Sequence, residues 1–581
     1  MQQLTRSRTG WLAIILLGAM AIFVLRLFQL QILQHGTYSE LARASQQRRF
    51  VIPAERGKIY MMDGKTPVPV VLNKVVYTVV ADPQAIGDDK RSIIVSALRE
   101  IAGGETVGDI ESRLGNKKSR YEVLAKNISG TQKEKLAEKK LAGITYLQGS
   151  IRDYAENELG AHVLGFVNTA GEGQYGIEGA LNQRLKGRDG LVQAVTDTHN
   201  VPLTVGKNNV RIEAKAGENI ALTIDRNVQS YVEEALKKGV SGAGATEGSV
   251  IVMNPNDGKV LAMANYPSYS PANYAKQSNA AVFMNNVTMT PFEPGSIIKS
   301  FSFATAIDKG AVLPSTTFHN TDCIKVADRT MCNALKGLTG AMTIQGAFNN
   351  SLNVGTITAV RKLGNGSNIN LAARKTLYDY YHNKFGFGKA TGIEVNEAAG
   401  YIYLPDSVEG NEVRYSAMTY GQSMNLTMVQ VAAGFSSLIN NGQYYKPTVI
   451  SGTIGQDGKL TPAATSALNQ TVSSSTSSHM RSMLATARGT SFLAAGDKSG
   501  YEVGGKTGTS EAVIDGKYTQ NETIATYIGY GGGNRPEYVI MVRVAAPGRG
   551  INLEGGRHAG PIFTDISNWM IDYMKIAPKK G

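Results

Sequence analysis

The longest apolar stretch of the chain lies near its N-terminus. It runs without a charge over residues 11–25, and after one arginine the apolar character continues to Leu33. A helix over residues 11–33 would span roughly 34 Å, which is enough to cross a bilayer. The basic residues before it predict a cytoplasmic N-terminus with the bulk of the chain outside. A cleaved signal peptide, with Ala-Met-Ala at residues 19–21, and a buried soluble helix are the alternatives. Because apolar residues continue past that motif, we predict an uncleaved, single-pass anchor in the cell membrane.

Beyond this segment, the pattern of apolar and polar positions predicts a mixed α+β chain. Residues 48–82 alternate β-branched and polar residues with Pro and Gly between them, which is typical of strands and turns. Short amphipathic helices are predicted at residues 90–104 and 131–144. A second module begins with a strand, a helix cap at Asp225 and a helix. The predicted organisation is a cytoplasmic tail at 1–10, a transmembrane helix at 11–33, an N-terminal α+β domain at 34–218 and a C-terminal domain at 219–577.

The C-terminal module is predicted to combine hairpins with helices. Two apolar runs joined at Asn256–Gly258 indicate a hairpin. The further predicted elements are a second hairpin at 521–547, long helices that fill about 295–365 and 425–440, and a terminal helix at 561–576.

Composition adds few restrictions. The chain has 581 residues, a net charge of +13 and two cysteines, so it is not a disulfide scaffold. A basic chain could favour an anionic polymer or a membrane surface, but we prefer the simpler interpretation of a solvated basic surface. The seven histidines show no metal-ligand spacing. We expect no metal, no cofactor and no nucleic-acid partner.

The segment Gly500–Thr507 fits two different chemistries. It matches G-x-x-x-x-G-K-[ST], the phosphate-binding loop of nucleotide-binding proteins. It also contains Lys-Thr-Gly, an element of penicillin-interacting serine enzymes. A phosphate loop needs a buried strand before it and a helix opening at Lys506. Gly508 and Asp515-Gly516 disfavour that helix and indicate a hairpin bend, so we favour the second interpretation.

That interpretation requires two upstream partners, and both occur. Ser296 begins a predicted helix with Lys299 three residues later, which places both side chains on one face. A serine hydroxyl needs a base, and a lysine serves as one when its pKa is lowered. Ser351 and Asn353 form the second motif, in which the hydroxyl can pass a proton to the leaving amine and the amide can orient Lys299 and the substrate.

The third motif is predicted to begin a strand. Lys506 would supply a nearby cation and attract a carboxylate, and Gly508 would admit a substrate backbone. Thr507 and Thr509 would face the same side. Each motif alone is weak, because Ser423-Met-Asn425 and Lys498-Ser-Gly500 match the same short patterns. The order and context of the three motifs together carry the prediction.

The sequence resembles the class B, monofunctional penicillin-binding proteins over nearly its whole length. Besides the three motifs, the resemblance rests on the strings RLFQLQIL, IPAERGKIY, HVLGFVNTAGEGQYGIEGALNQRLKGRDG, LTIDRNVQ and YGQSMNLTMVQ. It implies an extended N-terminal pedestal and a C-terminal transpeptidase domain, an antiparallel sheet flanked by helices as in serine β-lactamases. It implies D,D-transpeptidation of peptidoglycan stem peptides and covalent binding of β-lactams.

By this resemblance, Ser296 is the acylated nucleophile and Lys299 its base. Ser351 and Asn353 assist proton transfer and positioning. Lys506, Thr507, Gly508 and Thr509 hold the substrate carboxylate and backbone, and the amides of Ser296 and Thr509 form the oxyanion hole. The sequence FEPGS before the lysine favours the division branch over the elongation branch. A division role implies a polytopic membrane glycan polymerase and other division or elongation proteins as partners.

Two features of the sequence depart from the family pattern or leave alternatives open. Met61 and Met62 stand at the Asp and Arg positions of the family's Arg-Gly-x-Ile-x-Asp-Arg-x-Gly, which affects expected pedestal contacts. Cys323 and Cys332 fit either a strand pair closed by a disulfide or two reduced, buried thiols.

Other functions use the same chemistry or none. A D,D-carboxypeptidase or a β-lactamase would transfer the acyl group to water. None of the five glutamates between the second and third motifs has Asn four residues on, against a class A β-lactamase. A penicillin-sensing receptor would need a cytoplasmic effector, and only about ten residues precede the predicted span. A non-catalytic scaffold would leave three complete motifs unexplained.

Overall fold

The computed structural model describes residues 8–38, 47–195, 210–514 and 517–579. The chain forms two compact units: Met1–Gly57 with Lys186–Gly217, and Lys58–Leu185 with Glu218–Gly581. The domain boundaries predicted from the sequence stay predictions.

The first unit contains the N-terminal helix and a small sheet. The helix covers Arg8–Phe28 and continues as a π-helical turn, Gln29–Leu33, with exposed apolar side chains. By length and composition it can cross a membrane, as the sequence predicted. The sheet is antiparallel, with the strands Gln47–Ile52, Gly190–Val195 and Val210–Ile212.

A seven-stranded sheet forms part of the second unit. Its strands, in spatial order, are Leu460–Pro462, Ile450–Ile454, Asn219–Asp225, Ile59–Asp63, Thr66–Ala81 and Glu122–Ile128, with Ile144–Tyr154 also paired to Thr66–Ala81. The sheet therefore contains strands from both sides of residue 218. Met61, one of the two departures from the family pattern, is completely buried, and a β-carbon on Gly160 would lie 2.6 Å from its methyl carbon. An apolar side chain thus fills this position in the core.

The second large sheet of this unit is an antiparallel sheet of five strands. In spatial order they are Val260–Tyr266, Glu247–Met253, Pro536–Ala545, Lys517–Gly532 and Glu502–Ile514. Both hairpins predicted for this region are confirmed. The bend predicted at Asp515-Gly516 lies outside the described residues.

One face of this five-stranded sheet is covered by the helices Arg226–Gly242 and Gly560–Tyr573. Asp225 caps the first helix by accepting the backbone N–H groups of Asn227 and Val228, as predicted. The helix buries a stripe at i, i+4 spacing, and full burial of each such side chain contributes about 1.5–3 kcal/mol. The stripe consists of Val228, Val232, Leu236 and Val240.

The other face carries buried helices. Lys299–Asp308 and Met428–Ile439 have buried side chains on all sides, the pattern of a helix inside a large domain. The prediction of long helices throughout 295–365 was wrong. The strands Thr317–Asn320 and Gly340–Thr343 pair with each other there, and Cys323–Val326 pairs with Arg329–Cys332. These strands contain the β-branched or aromatic residues Thr317, Phe318, Ile324, Val326 and Thr330, which favour strands once tertiary packing is available.

Further helices complete the second unit. They are Arg91–Ile101, Ile110–Gly115, Gly130–Glu138, Ala161–Leu164, Gly176–Ala180, Asn182–Lys186, Asn286–Met289, Ile344–Asn349, Asn353–Arg361, Leu371–Tyr378, Glu412–Met418 and Ser474–Gly489. Short strands pair as Phe166–Val167 with Gly173–Gln174, and as Gln443–Tyr445 with Ala467–Gln470.

Candidate active site

Ser296 lies in a tight turn that opens a buried helix. A 3₁₀ turn, Gly295–Ile298, leads directly into the helix Lys299–Asp308. Gly295 has a φ of +64°, and a β-carbon there would lie 2.7 Å from the backbone oxygen of Thr509. Only glycine allows both this conformation and this approach. The turn that carries Ser296 and the Lys-Thr-Gly strand therefore touch through their backbones.

Lys299 is a completely buried amine. Its Nζ donates hydrogen bonds to the carbonyl oxygen of Ser351 and, at 3.2 Å, to the Ser351 hydroxyl. Burial, and secondarily the charge of Lys506, hold the pKa of Lys299 well below 10.5. The structure thus brings two of the three motifs together, although the lysine and Ser351 are 52 residues apart. A neutral amine in this position is a competent base.

The Ser296 hydroxyl is half-buried. Among the residues that the structure describes, no hydrogen bond joins it to Lys299. Hydrogen bonds between catalytic groups are often long before substrate binds. The predicted proximity of the Lys299 amine to the Ser296 hydroxyl therefore rests on the i, i+3 spacing of the two residues, which places both on one helix face.

The second motif is held in a strained loop. Ser351 has a φ of +54°, which a non-glycine residue adopts at a cost of about 1–3 kcal/mol and which is common at functional sites. The Asn353 amide donates to the carbonyl oxygen of Cys332 at 2.8 Å. Cys332 forms a disulfide with Cys323 across the pair of short strands. Of the two alternatives for the cysteines, the structure has the disulfide, and its hairpin braces Asn353.

The third motif lies in the edge strand Glu502–Ile514. The Lys506 amine is buried, donates to the Thr507 carbonyl at 3.2 Å, and lies 6.0 Å from the centre of the Phe348 ring. Burial lowers the pKa of Lys506 to about 7. Since the strand continues through Lys506 and no helix begins there, the segment does not have the geometry of a phosphate-binding loop.

The residues after Lys506 follow the strand alternation. A β-carbon on Gly508 would lie 2.2 Å from the hydroxyl oxygen of Thr526, which explains the need for glycine. The Thr509 hydroxyl accepts the backbone N–H of Gly555 at 3.1 Å. The Thr507 methyl lies beside Gly556, the residue that follows Gly555. Thr507 and Thr509 thus face one turn, as their spacing predicted.

The two competing matches have other roles. The partly exposed Lys498 forms a surface ion pair with Asp572. Asn425 joins Tyr401 through backbone hydrogen bonds. Ser423 has a φ of +56° and donates its backbone N–H to the buried Glu293 at 2.8 Å. Sequence reasoning did not assign Glu293 to the site, although FEPGS places it three residues before Ser296.

Comparison with known proteins agrees with this arrangement. The penicillin-binding protein transpeptidase domain matches residues 248–568, and the penicillin-binding protein dimerisation domain matches residues 51–222. The chain is 28% identical to stage V sporulation protein D of Bacillus subtilis, over 99% of this chain and 87% of that protein. It is 26% identical to a probable peptidoglycan D,D-transpeptidase, PbpC, of Pseudomonas aeruginosa, over 95% and 93% of the two chains.

Solved structures show the same fold. Penicillin-binding protein 2X of Streptococcus thermophilus has a TM-score of 0.73 at 21% identity, covering 91% of this chain and 80% of that one. Penicillin-binding protein 3 of Mycobacterium tuberculosis in complex with aztreonam has a TM-score of 0.68 at 22% identity, covering 92% and 98%. The chain belongs to the penicillin-binding protein transpeptidase family, as a class B protein with a dimerisation domain before the transpeptidase domain.

Proposed function

We propose that the protein is a membrane-anchored serine D,D-transpeptidase that cross-links peptidoglycan stem peptides and is acylated by β-lactams at Ser296. The observation that carries the proposal is the completely buried amine of Lys299, bonded to Ser351 and three residues after the serine. Burial, and secondarily the charge of Lys506, lower its pKa and so favour the neutral amine, the form that can act as a base. A scaffold would not require a completely buried lysine amine at this position.

In the proposed acylation, Lys299 takes the proton of the Ser296 hydroxyl as Oγ attacks the carbonyl carbon of the penultimate D-alanine. The oxyanion is stabilised by the backbone N–H groups of Ser296 and Thr509. The C–N bond then breaks, and the leaving D-alanine receives a proton through Ser351. Lys506, Thr507 and Thr509 bind the terminal carboxylate, Gly508 admits the peptide backbone, and Asn353 orients the substrate amide.

In the second half, an acceptor amine attacks the acyl-enzyme carbonyl, a new C–N bond forms, and Ser296 leaves with a proton returned to Oγ. Water in place of the amine would give a D,D-carboxypeptidase. The long segment before the transpeptidase domain favours a polymer substrate. A stem-peptide donor incubated with and without an acceptor amine separates the two activities, because cross-linked and hydrolysed products differ in mass.

The test of the acyl-enzyme is intact-protein mass spectrometry of the full chain in detergent after incubation with benzylpenicillin, followed by peptide mapping. One adduct on the Ser296 peptide, absent in Ser296→Ala, is expected. Ser423→Ala is the matched control, because Ser423 belongs to a Ser-x-Asn pattern like that of Ser351 and Asn353. The adduct on the Ser296 peptide should persist in this variant. No adduct on the folded wild-type protein would refute the proposal.

We further propose that residues 11–33, within the helix Arg8–Leu33, form an uncleaved anchor, with residues 1–10 cytoplasmic and the domains 34–218 and 219–577 outside. The mass of the protein purified from membranes tests this, since signal cleavage would remove about 20 residues. We also propose a role in cell division, beside a polytopic glycan polymerase, on the basis of FEPGS. Depletion should then give filaments without septa, whereas loss of rod shape would indicate elongation.

A further inference from the structure

Glu293 precedes the turn that carries Ser296 and connects it to two other segments, those of Ser423 and Tyr518. Its side chain is 7% exposed. One carboxylate oxygen, Oε1, accepts the backbone N–H of Ser423 at 2.8 Å and the hydroxyl of Tyr518 at 2.7 Å. The other oxygen, Oε2, is buried without a hydrogen-bond partner among the described residues. Burial raises the pKa of this carboxyl group, and the two hydrogen bonds oppose that shift.

The two hydrogen bonds connect distant parts of the chain. Ser423 lies 130 residues from Glu293 and has a left-handed backbone, with a φ of +56°. Tyr518 lies 225 residues away, on the return strand that pairs with the Lys-Thr-Gly strand. Its side chain is 51% exposed. A half-exposed tyrosine thus reaches a nearly buried carboxylate beside the nucleophile turn.

The geometry of these segments matters because the proposed oxyanion hole is divided between them. The Ser296 amide belongs to the nucleophile turn, and the Thr509 amide belongs to the strand Glu502–Ile514. Close backbone packing of Gly295 against Thr509, and a hydrogen bond from the Thr526 hydroxyl to the Pro294 carbonyl at 3.3 Å, join the two elements where the hairpin is part of the five-stranded sheet. In the described pairings the strand Lys517–Gly532 meets Pro536–Ala545 only from Ala525 onward, so the part of the hairpin that carries Tyr518 projects beyond these contacts. A second attachment in this projecting part restrains the hairpin further.

We propose that the Glu293–Tyr518 hydrogen bond is this second attachment, and that both side chains are positioning residues that hold the Ser296 and Thr509 amides at the separation the acylation step requires. The inference rests on the proposed function. Neither side chain is proposed to contact the reacting atoms. They act through the backbone of the turn and of the hairpin.

Because Oε2 has no hydrogen-bond partner among the described residues, a substitution can remove the charge of Glu293 and keep its two hydrogen bonds. In a glutamine, the amide oxygen can take the place of Oε1 and accept both hydrogen bonds. The amide nitrogen then takes the place of Oε2, which accepts no hydrogen bond among the described residues. Glu293→Gln should therefore retain acylation within about threefold, since a hydrogen bond to a charged group exceeds a neutral one by only a modest factor. Glu293→Ala loses both contacts.

The experiment is a double-mutant cycle on the full chain, with the acylation rate by benzylpenicillin measured at saturating and limiting concentrations. Tyr518→Phe and Glu293→Ala are each expected to slow acylation about tenfold or more, less than the 10²–10³-fold that follows removal of an oxyanion-hole donor. The loss should appear in the acylation step rather than in non-covalent binding. The double variant should be no slower than Glu293→Ala alone. Tyr401→Phe is the matched control, because Tyr401 is 50% exposed, and it should leave the rate unchanged.

Three results would overturn the inference. These are a wild-type rate in Tyr518→Phe, single effects that multiply in the double variant, and a loss in Glu293→Gln as large as in Glu293→Ala. Tyr518→Phe removes one hydroxyl from a half-exposed side chain, so it tests the attachment even if Glu293→Ala does not fold. Failure of the wild-type protein to acylate would instead refute the proposed function.

Discussion

Lys506→Met is expected to stabilise the fold at neutral pH while slowing acylation. The wild-type amine is buried, and burial lowers its pKa from 10.5 to about 7. Because the folded pKa lies below the unfolded one, the unfolded chain binds the proton more tightly. Below pH 7 the native state therefore carries the full free-energy cost of burying a protonated lysine. The free energy of unfolding rises as the pH rises from about 7 to 10.5. Methionine has similar length and no proton to lose.

The size of the effect follows from these values. At about 1.36 kcal/mol for each pH unit between the two pKa values, the penalty approaches about 5 kcal/mol at low pH and is about 4 kcal/mol at pH 7. The substitution also removes the hydrogen bonds to Thr507, at a cost of roughly 1 kcal/mol. Lys506→Met should thus be more stable than wild type by about 3 kcal/mol at pH 7 and slightly less stable at pH 10.5.

Denaturant unfolding of the full chain, followed by circular dichroism at the two pH values, measures this difference. Lys498→Met is the matched control, because Lys498 occurs in the similar Lys-Ser-Gly but forms only a surface ion pair with Asp572. Its stability should change by no more than about 1 kcal/mol at either pH. If the advantage of Lys506→Met were absent at pH 7, or equal at both pH values, the buried amine would not be the cause. Acylation by benzylpenicillin should fall about 10–100-fold in Lys506→Met through loss of the charge-assisted bond to the substrate carboxylate.

Three further predictions follow from the same structure. Lys299→Ala should slow acylation about 10²–10⁴-fold, since it removes the general base; a normal rate in stopped-flow measurements would mean that another group takes the proton. Gly508→Ala should lower both the acylation rate and the melting temperature, because its β-carbon would lie 2.2 Å from the nearest side-chain oxygen, whereas Gly489→Ala, with open space around it, should change neither. Equal effects in the two variants would contradict the steric argument. Asp497→Ala should destabilise the protein by about 3–5 kcal/mol, since it leaves the 1% exposed Arg488 side chain without its carboxylate; a loss below about 1 kcal/mol in denaturant unfolding would contradict this.

Several local features could be predicted from the sequence. The apolar run at the N-terminus, the cap at Asp225 and the hairpin around Asn256–Gly258 depend on neighbouring residues, so periodicity and turn chemistry were sufficient. The i, i+3 spacing of Ser296 and Lys299 likewise placed both residues at one helix start. Within 313–343, however, short strands that pair with one another replaced the predicted helix, because packing overrides weak helical propensity.

Only the tertiary structure decided which motifs meet. The spacing along the chain could not show that Lys299 bonds Ser351, 52 residues away, or that Tyr518 reaches Glu293 across 225 residues. The short pattern alone could not separate Lys506 from Lys498, since both match Lys-[Ser/Thr]-Gly, and only the sequence context favoured Lys506. The difference between these lysines is burial, which is a property of the packed domain: one amine is enclosed and loses its proton near neutral pH, and the other stays in water beside Asp572. Residue types and their order set the chemistry that the chain can perform, whereas desolvation and long-range contacts select the groups that perform it.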